Sequence, residues 1–133
     1  VEEFREVIDR AFSLMRDDSE IGSKLRDADV PQRYEFTDLG LVLNVRPGAA
    51  GEPALMWVWT DDIAWEPRVR MAMSSETANR YFQGKENVAI AIARRRISAG
   101  GDVKAALVII PLLKPAFELY RKMVTRDYPH LEV

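Results

Sequence analysis

Along the N-terminal segment, apolar residues return at helical intervals. Phe4, Val7, Ile8, Ala11, Phe12 and Met15 share one face of a helix expected near residues 3–17. Glu2, Glu3, Glu6 and Asp9 load its first turns with acids, which suits the positive end of the helix dipole. Asp17-Asp18-Ser19 breaks the pattern. Ser19 is expected to cap a short second helix carrying Ile21, Leu25 and Ala28, which Pro31 stops. The period then falls to two. Leu41, Leu43 and Val45 alternate with Val42, Asn44 and Arg46; Leu55, Trp57 and Trp59 alternate with Met56 and Val58; Val69, Met71 and Met73 alternate with Arg70, Ala72 and Ser74. These patterns predict strands near 41–46, 54–60 and 69–74, with a weaker signature around Tyr34–Phe36. The turn cluster 47–51 joins the first two as a hairpin, so this part of the sheet is expected to be antiparallel.

Helical spacing then returns. Ser74-Ser75 offers a cap, Ala78, Tyr81 and Phe82 share a face of a helix near 75–83, and Gly84 is its stop. Val88–Ala93 fits either a helical turn or a buried strand, because an unbroken apolar run carries no period. Arg94–Ala99 reads as a strand, Gly100-Gly101 as a turn, and Asp102 as the cap of a helix near 103–125. Pro111 and Pro115 should interrupt or kink that helix. Helices, antiparallel strands, helix, strand and helix in that order predict an α+β layered fold with its strands in one sheet. No repeat, low-complexity stretch or linker divides the chain, which reads as one domain over 1–133.

Composition narrows the chemistry. With 133 residues, 47% of them apolar and 30% charged, the chain can bury one sizeable core without staples. There is no cysteine, which excludes disulfides, thiolate metal sites and a cysteine nucleophile. His130 is the single histidine, so one chain cannot build a histidine metal cluster, and a Ser–His–Asp arrangement would depend on a residue near the C-terminus. No cofactor, metal or catalytic residue is expected. The longest apolar run, Ala105–Leu113, is far short of the roughly 18 residues of a membrane span. The opening Val-Glu-Glu-Phe-Arg lacks the basic-then-apolar order of a secretory signal, so a cytoplasmic protein is expected. Net charge is −2 but uneven: residues 1–67 hold seven Lys/Arg against fifteen Asp/Glu, and residues 68–133 hold twelve against six. The basic half either cancels against the acidic half on folding or meets an anionic membrane or acidic partner.

Familiar catalytic patterns fail one by one. Asp61 and Asp62 are adjacent, so on an extended segment they face opposite ways and cannot share a proton. Gly100-Gly101-Asp102 lacks the Gly-Lys-Ser/Thr ending of a phosphate loop, and the glycines at 48 and 51 lie in a hairpin. Arg94, Arg95 and Arg96 would alternate across a strand without stacking aromatics, which argues against nucleic-acid binding and for guarding a sheet edge. The apolar inventory says more. Met56, Met71 and Met73 fall on predicted strands, and the late helices supply Ile109, Ile110, Leu113, Phe117 and Tyr120. Methionine adapts to irregular apolar partners, although the same residues also serve an ordinary core. Trp57, Trp59 and Trp65 fit a core or a partner patch better than a cofactor box.

The segment Val69-Arg-Met-Ala-Met-Ser-Ser-Glu-Thr-Ala-Asn-Arg-Tyr-Phe-Gln-Gly-Lys85 resembles the sterol carrier protein type-two domain. A strand ending in Met-Ser, an acidic residue opening a helix, and Gly-Lys closing it carry the likeness. The N-terminal helix, the hairpin over Leu41–Trp59 and the late strand and turn over Arg94–Asp102 agree in order. The stretch after Gly-Lys, Glu86-Asn87-Val88, is shorter than is usual in that family. The resemblance implies a five-stranded mixed, mainly antiparallel sheet with helices packed on one face and an apolar tunnel between the layers.

It also implies a non-catalytic lipid-binding or transfer protein whose ligand is a fatty acid, an acyl-CoA or a sterol-like molecule. The alternative is a protein-interaction or scaffold module of the same fold with a filled core. The expected lining is Met56, Met71 and Met73 from the strands, Phe82 from the middle helix, and Ile109, Leu113 and Phe117 from the end. A one-residue slip of register exchanges Met56 for Trp57, so both belong to the expected set. Arg94–Arg96, Lys104, Lys114, Arg121 and Lys122 are the candidates for an anionic membrane, and no nucleic-acid partner is expected.

Overall fold

The computed structural model describes residues 1–133. The chain opens with α1 (Glu2–Asp17) and α2 (Ser19–Ala28) and then forms β1 (Gln32–Phe36), β2 (Leu41–Pro47), β3 (Leu55–Val58) and β4 (Val69–Met73). It continues through α3 (Ser75–Phe82), α4 (Val88–Ala93), β5 (Ile97–Gly101), α5 (Val103–Leu112) and α6 (Lys114–Asp127), and a short 3-10 turn over Pro129–Leu131 follows. The sheet order is β3-β2-β1-β4-β5, with β1 and β4 parallel and the other neighbours antiparallel. It is the expected α+β arrangement, a five-stranded mixed sheet with its helices on one face.

Strand alternation decides which residues meet the helices. Tyr34 stands beside Leu43 on one side and Met71 on the other, and Met71 stands beside Ala99, so these four share the helix-facing side. Val45 pairs with Trp57, which places Trp57 on that side and Met56, opposite Arg46, on the other. The link from edge strand β3 to β4 has to pass β2 and β1, and it does so over the outer face. Asn44 donates to the Thr60 carbonyl at 2.6 Å, Arg33 pairs with Asp61 at 2.9 Å, and Arg46 lies over the Trp65 ring at 5.4 Å. Asp61 is thus a partner for the sheet's outer arginine, held ionised below the usual carboxylate range chiefly by that hydrogen bond.

The helices bury what their spacing promised. Val7, Ile8, Ala11, Phe12 and Met15 of α1 are buried, and Phe4 packs edge-on against Phe36 at 4.7 Å. Phe82 of α3 is a hub, with ring centroids 6.2 Å from Phe12, 6.0 Å from Tyr34 and 5.6 Å from Tyr120. Ser74 caps α3 by accepting from the Thr77 N–H, and Gly84, at φ +73°, ends it in a left-handed turn. Asp102 caps α5 through the Lys104 and Ala105 N–H groups. Pro111 removes the N–H that the Leu107 carbonyl would receive, and the helix gives way at Leu113, between α5 and α6. No helix is long and apolar enough to cross a membrane.

Three local expectations need correction. The cap of α2 is Asp18, whose side chain accepts from the Glu20 and Ile21 N–H groups, and Ser19 is the first helical residue. Of the two readings open for Val88–Ala93 the helix holds, because the Asn87 side chain accepts the Ile90 N–H and starts it. Consequently the last strand begins three residues later than expected. Arg94, Arg95 and Arg96 form the turn that ends α4, with Arg95 in the left-handed region at φ +61° and the Arg96 N–H returning to the Ala91 carbonyl. Gly100 and Gly101, expected as a turn, pair with Arg70 and Val69 in the sheet.

Candidate ligand cavity

β5 is the reason the layers part. Its helix-facing positions after Ile97 are Ala99 and Gly101, opposite Met71 and Val69 of β4. Small residues there leave nothing to meet α5 as it passes above. A cavity of about 220 Å³ results, and 11 of its 15 lining residues are hydrophobic. Gln32 and Tyr34 of β1 and Val69 and Met71 of β4 form its floor. Tyr81 of α3, Val88 and Ile92 of α4, and Val103, Ala106, Ile109 and Ile110 of α5 enclose it. The volume exceeds the about 150 Å³ of an engineered dry cavity that takes benzene, and it is smaller than the about 300–1,000 Å³ typical of sites for drug-sized ligands. It therefore suits a ring or a length of alkyl chain.

The rim is apolar too. Apart from Lys104, helix α5 is apolar all round, yet only Ala105 and Ile109 are buried, while Val103 is 72% and Leu107 68% exposed. Val108, Ile90 and Ile92 add to this exposed surface. So apolar a helix left half in solvent forms an exposed hydrophobic patch, a kind of surface that accompanies binding sites. Asp102, the one charged residue of the lining, is held by Arg68 at 2.9 Å and by its helix-cap hydrogen bonds. The Arg68 hydrogen bond is the first cause of its lowered pKa.

Three buried residues of the lining carry polar groups, Gln32, Tyr34 and Tyr81. Tyr34 donates to the Gln32 side-chain oxygen, and Gln32 donates in turn to the Val30 carbonyl at 3.4 Å. Burial raises the Tyr34 phenol well above its usual range, the neighbouring Tyr81 adding a smaller push, and burial alone raises Tyr81. Both stay protonated. The Tyr81 hydroxyl is fully buried and has no partner. Beyond Tyr81 lies a second, more open pocket of about 530 Å³ that reaches Phe117, Lys114 and Arg121.

The expected lining residues divide. Met71 and Ile109 line the cavity. Phe117 lies in the neighbouring pocket, edge-on to Tyr81 at 5.1 Å. Met73, Phe82 and Leu113 are buried in the core and do not line the cavity. Trp57 does face the helices but stands on edge strand β3, far across the sheet order from β5, where its indole donates to Asp9 at 3.0 Å. Met56 is on the sheet's opposite face. Sequence reasoning followed the bulky residues and passed over Gln32, Tyr34, Tyr81, Ile92 and Ala99. The signal it could have used is Ser98-Ala-Gly-Gly101, small residues where a covered strand would carry bulk.

The basic candidates divide as well. Arg96 pairs with Glu86, Lys122 with Glu118 at 3.3 Å, and Arg121 donates to the Gln83 carbonyl at 3.4 Å. Arg94, Arg95, Lys104 and Lys114 are exposed and form no salt bridge.

Neither a family model nor a curated protein matches the sequence. Solved structures do match. A stereoselective inverting sec-alkylsulfatase from Pseudomonas sp. superposes with a TM-score of 0.57 at 18% identity over 68% of this chain, which spans only 14% of that enzyme. Three others match over most of both chains. The ubiquinone synthesis protein UbiJ-SCP2 gives a TM-score of 0.59 at 10% identity, covering 78% of this chain and 82% of its own. The sterol carrier protein domain 2 of Helicoverpa armigera gives 0.55 at 16% identity, covering 86% and 87%. Sterol Carrier Protein 2 from Yarrowia lipolytica, in its apo form, gives 0.53 at 14% identity, covering 84% and 87%. With the strand order and helix placement described above, these matches show that the chain is a sterol carrier protein 2-like domain in fold.

Proposed function

We propose that this chain is a non-catalytic carrier that holds the apolar part of a lipid-like molecule between β4–β5 and α4–α5. The observation that carries the reading is the apolar cavity together with the exposed apolar surface of α5 beside it. A fatty acid, an acyl-CoA or a sterol-like molecule each offers a segment that fits, the remainder lying along the rim. The likeness to sterol carrier protein 2 domains supports this reading through the fold. Native mass spectrometry of the purified chain, followed by displacement of a bound fluorescent fatty acid, tests it. A co-purified lipid or saturable displacement is expected. No lipid and no displacement would leave a protein-interaction module of the same fold.

The same surface suggests where cargo is exchanged. Arg94 and Arg95 directly follow α4, Lys104 belongs to α5 and Lys114 opens α6, and α4 and α5 also carry the exposed apolar side chains. Apolar groups with unpaired cations suit an anionic membrane surface. Vesicle sedimentation should show binding to anionic but not neutral vesicles, weakening as salt shortens the screening length below about 10 Å.

A further inference from the structure

We infer that the cavity selects a ligand bearing a neutral hydroxyl or carbonyl group, which pairs with the Tyr81 phenol. This rests on the carrier reading and specifies the head group that the cavity accepts. Tyr81 is 1% exposed, lines the cavity, and its hydroxyl has no hydrogen-bond partner. Buried polar groups are paired in more than about nine cases in ten, so an orphan donor beside an empty apolar space marks where a partner belongs. Neighbouring groups fix that partner's chemistry. The Tyr34 hydroxyl gives its proton to Gln32, which leaves the Tyr34 oxygen free to accept, and Gln32 spends one amide hydrogen on the Val30 carbonyl and keeps the other. The buried polar residues of the lining therefore offer both donors and acceptors. A hydroxyl uses both, and a carbonyl uses the donors.

A carboxylate fits poorly. The lining contains no lysine, arginine or histidine, and its one charged residue, Asp102, is itself an anion. Bringing a carboxylate to neutral phenols in an apolar space costs its hydration with no cation to offset the loss. The protonated state of both tyrosines, kept by burial, means they can donate but cannot balance charge. Of the cations around it, Arg68 is already held by Asp102, and Lys114 and Arg121 line the neighbouring open pocket, which Tyr81 also borders.

Displacement titrations with a chain-matched alkane, alkanol, alkanone and alkanoate on the full chain and on Tyr81→Phe test the assignment. At neutral pH the alkanol and alkanone should bind more tightly than the alkanoate, and alkanoate binding should strengthen as acid neutralises the ligand. Tyr81→Phe should lose about three- to tenfold in affinity for the alkanol and alkanone, the worth of one neutral hydrogen bond, and nothing for the alkane. Its melting temperature should equal or exceed the parent's, since an unpaired hydroxyl is removed, and this separates ligand pairing from a structural role. Alkanoate binding as tight as alkanol binding at neutral pH would overturn the assignment. So would alkanol affinity unchanged in Tyr81→Phe. If no member of the series displaces the probe, alkane included, the carrier reading itself falls.

Discussion

Met71 and Ala99 stand directly opposite each other on β4 and β5, a long side chain facing a single methyl. The imbalance leaves space beneath α5, and Ile109 and Ala106 roof it. Ala99→Leu should close the cavity from below. We expect binding of a fluorescent long-chain alkanol to fall more than tenfold. Stability should hold or rise by about 1 kcal/mol, because added methyl groups enter existing space. Displacement titration and thermal melts on the same variant read both effects.

Core and cavity should respond differently to truncation. Met73 and Leu113 are packed away from the cavity, so Met73→Ala and Leu113→Ala should each cost the about 2–5 kcal/mol of a closed core site and leave ligand affinity nearly unchanged. Met71 and Ile109 border empty space. Met71→Ala and Ile109→Ala should cost less and weaken ligand binding. Denaturant melts of the four variants rank them.

Backbone geometry makes a pair of predictions of opposite sign. Arg95 occupies the left-handed turn position after α4 at φ +61°, where glycine is the usual residue. Arg95→Gly should stabilise the chain by about 0.5–1 kcal/mol once glycine's larger unfolded-state entropy is subtracted. Gly101 sits at φ +95°, and a Cβ there would lie 2.2 Å from the Arg68 carbonyl oxygen. Gly101→Ala should destabilise by more than about 1 kcal/mol. Chemical denaturation measures both.

One pH dependence belongs to the β2–β3 hairpin. Both Glu52 carboxylate oxygens accept from Arg46 at 3.1 Å, and one also accepts from the Ala49 N–H at 2.9 Å. The Arg46 hydrogen bonds, then the Ala49 N–H, lower its pKa from 4.5 to about 2. A depressed folded-state pKa contributes stability that is present above 4.5 and lost as pH falls toward about 2. Melting temperatures recorded through this window should fall less steeply in Glu52→Gln than in the parent.

Much of this architecture could be read from spacing. Alternation located β2, β3 and β4, and the stripe from Val7 to Met15 located the buried face of α1, because each element follows its own period. The α4–β5 region was not readable in this way. Val88–Ala93 is uniformly apolar, and the choice of helix rests on one side chain, Asn87, capping Ile90. That choice moves the arginines into a turn and delays the start of β5 by three residues. The cavity was half legible. Methionine at 71 and isoleucine at 109 pointed to it, while Met56 fell on the wrong face and Met73, Phe82 and Leu113 fell inside the core. A bulky apolar residue has the same composition in either place; the empty space depends on Ala99 and Gly101 being small, and on β4 entering the sheet beside β1.

The shared carboxylate at Asp9 has a practical consequence for optical work. Trp57 and Trp59 both donate their indole N–H to it, at 3.0 and 2.7 Å, and Trp65 lies on the outer face beneath Arg46. No indole lines the cavity. Tryptophan emission from this protein therefore reports the seam between α1 and β3 and the outer crossing. Occupancy of the cavity registers instead in the tyrosine absorption of residues 34 and 81.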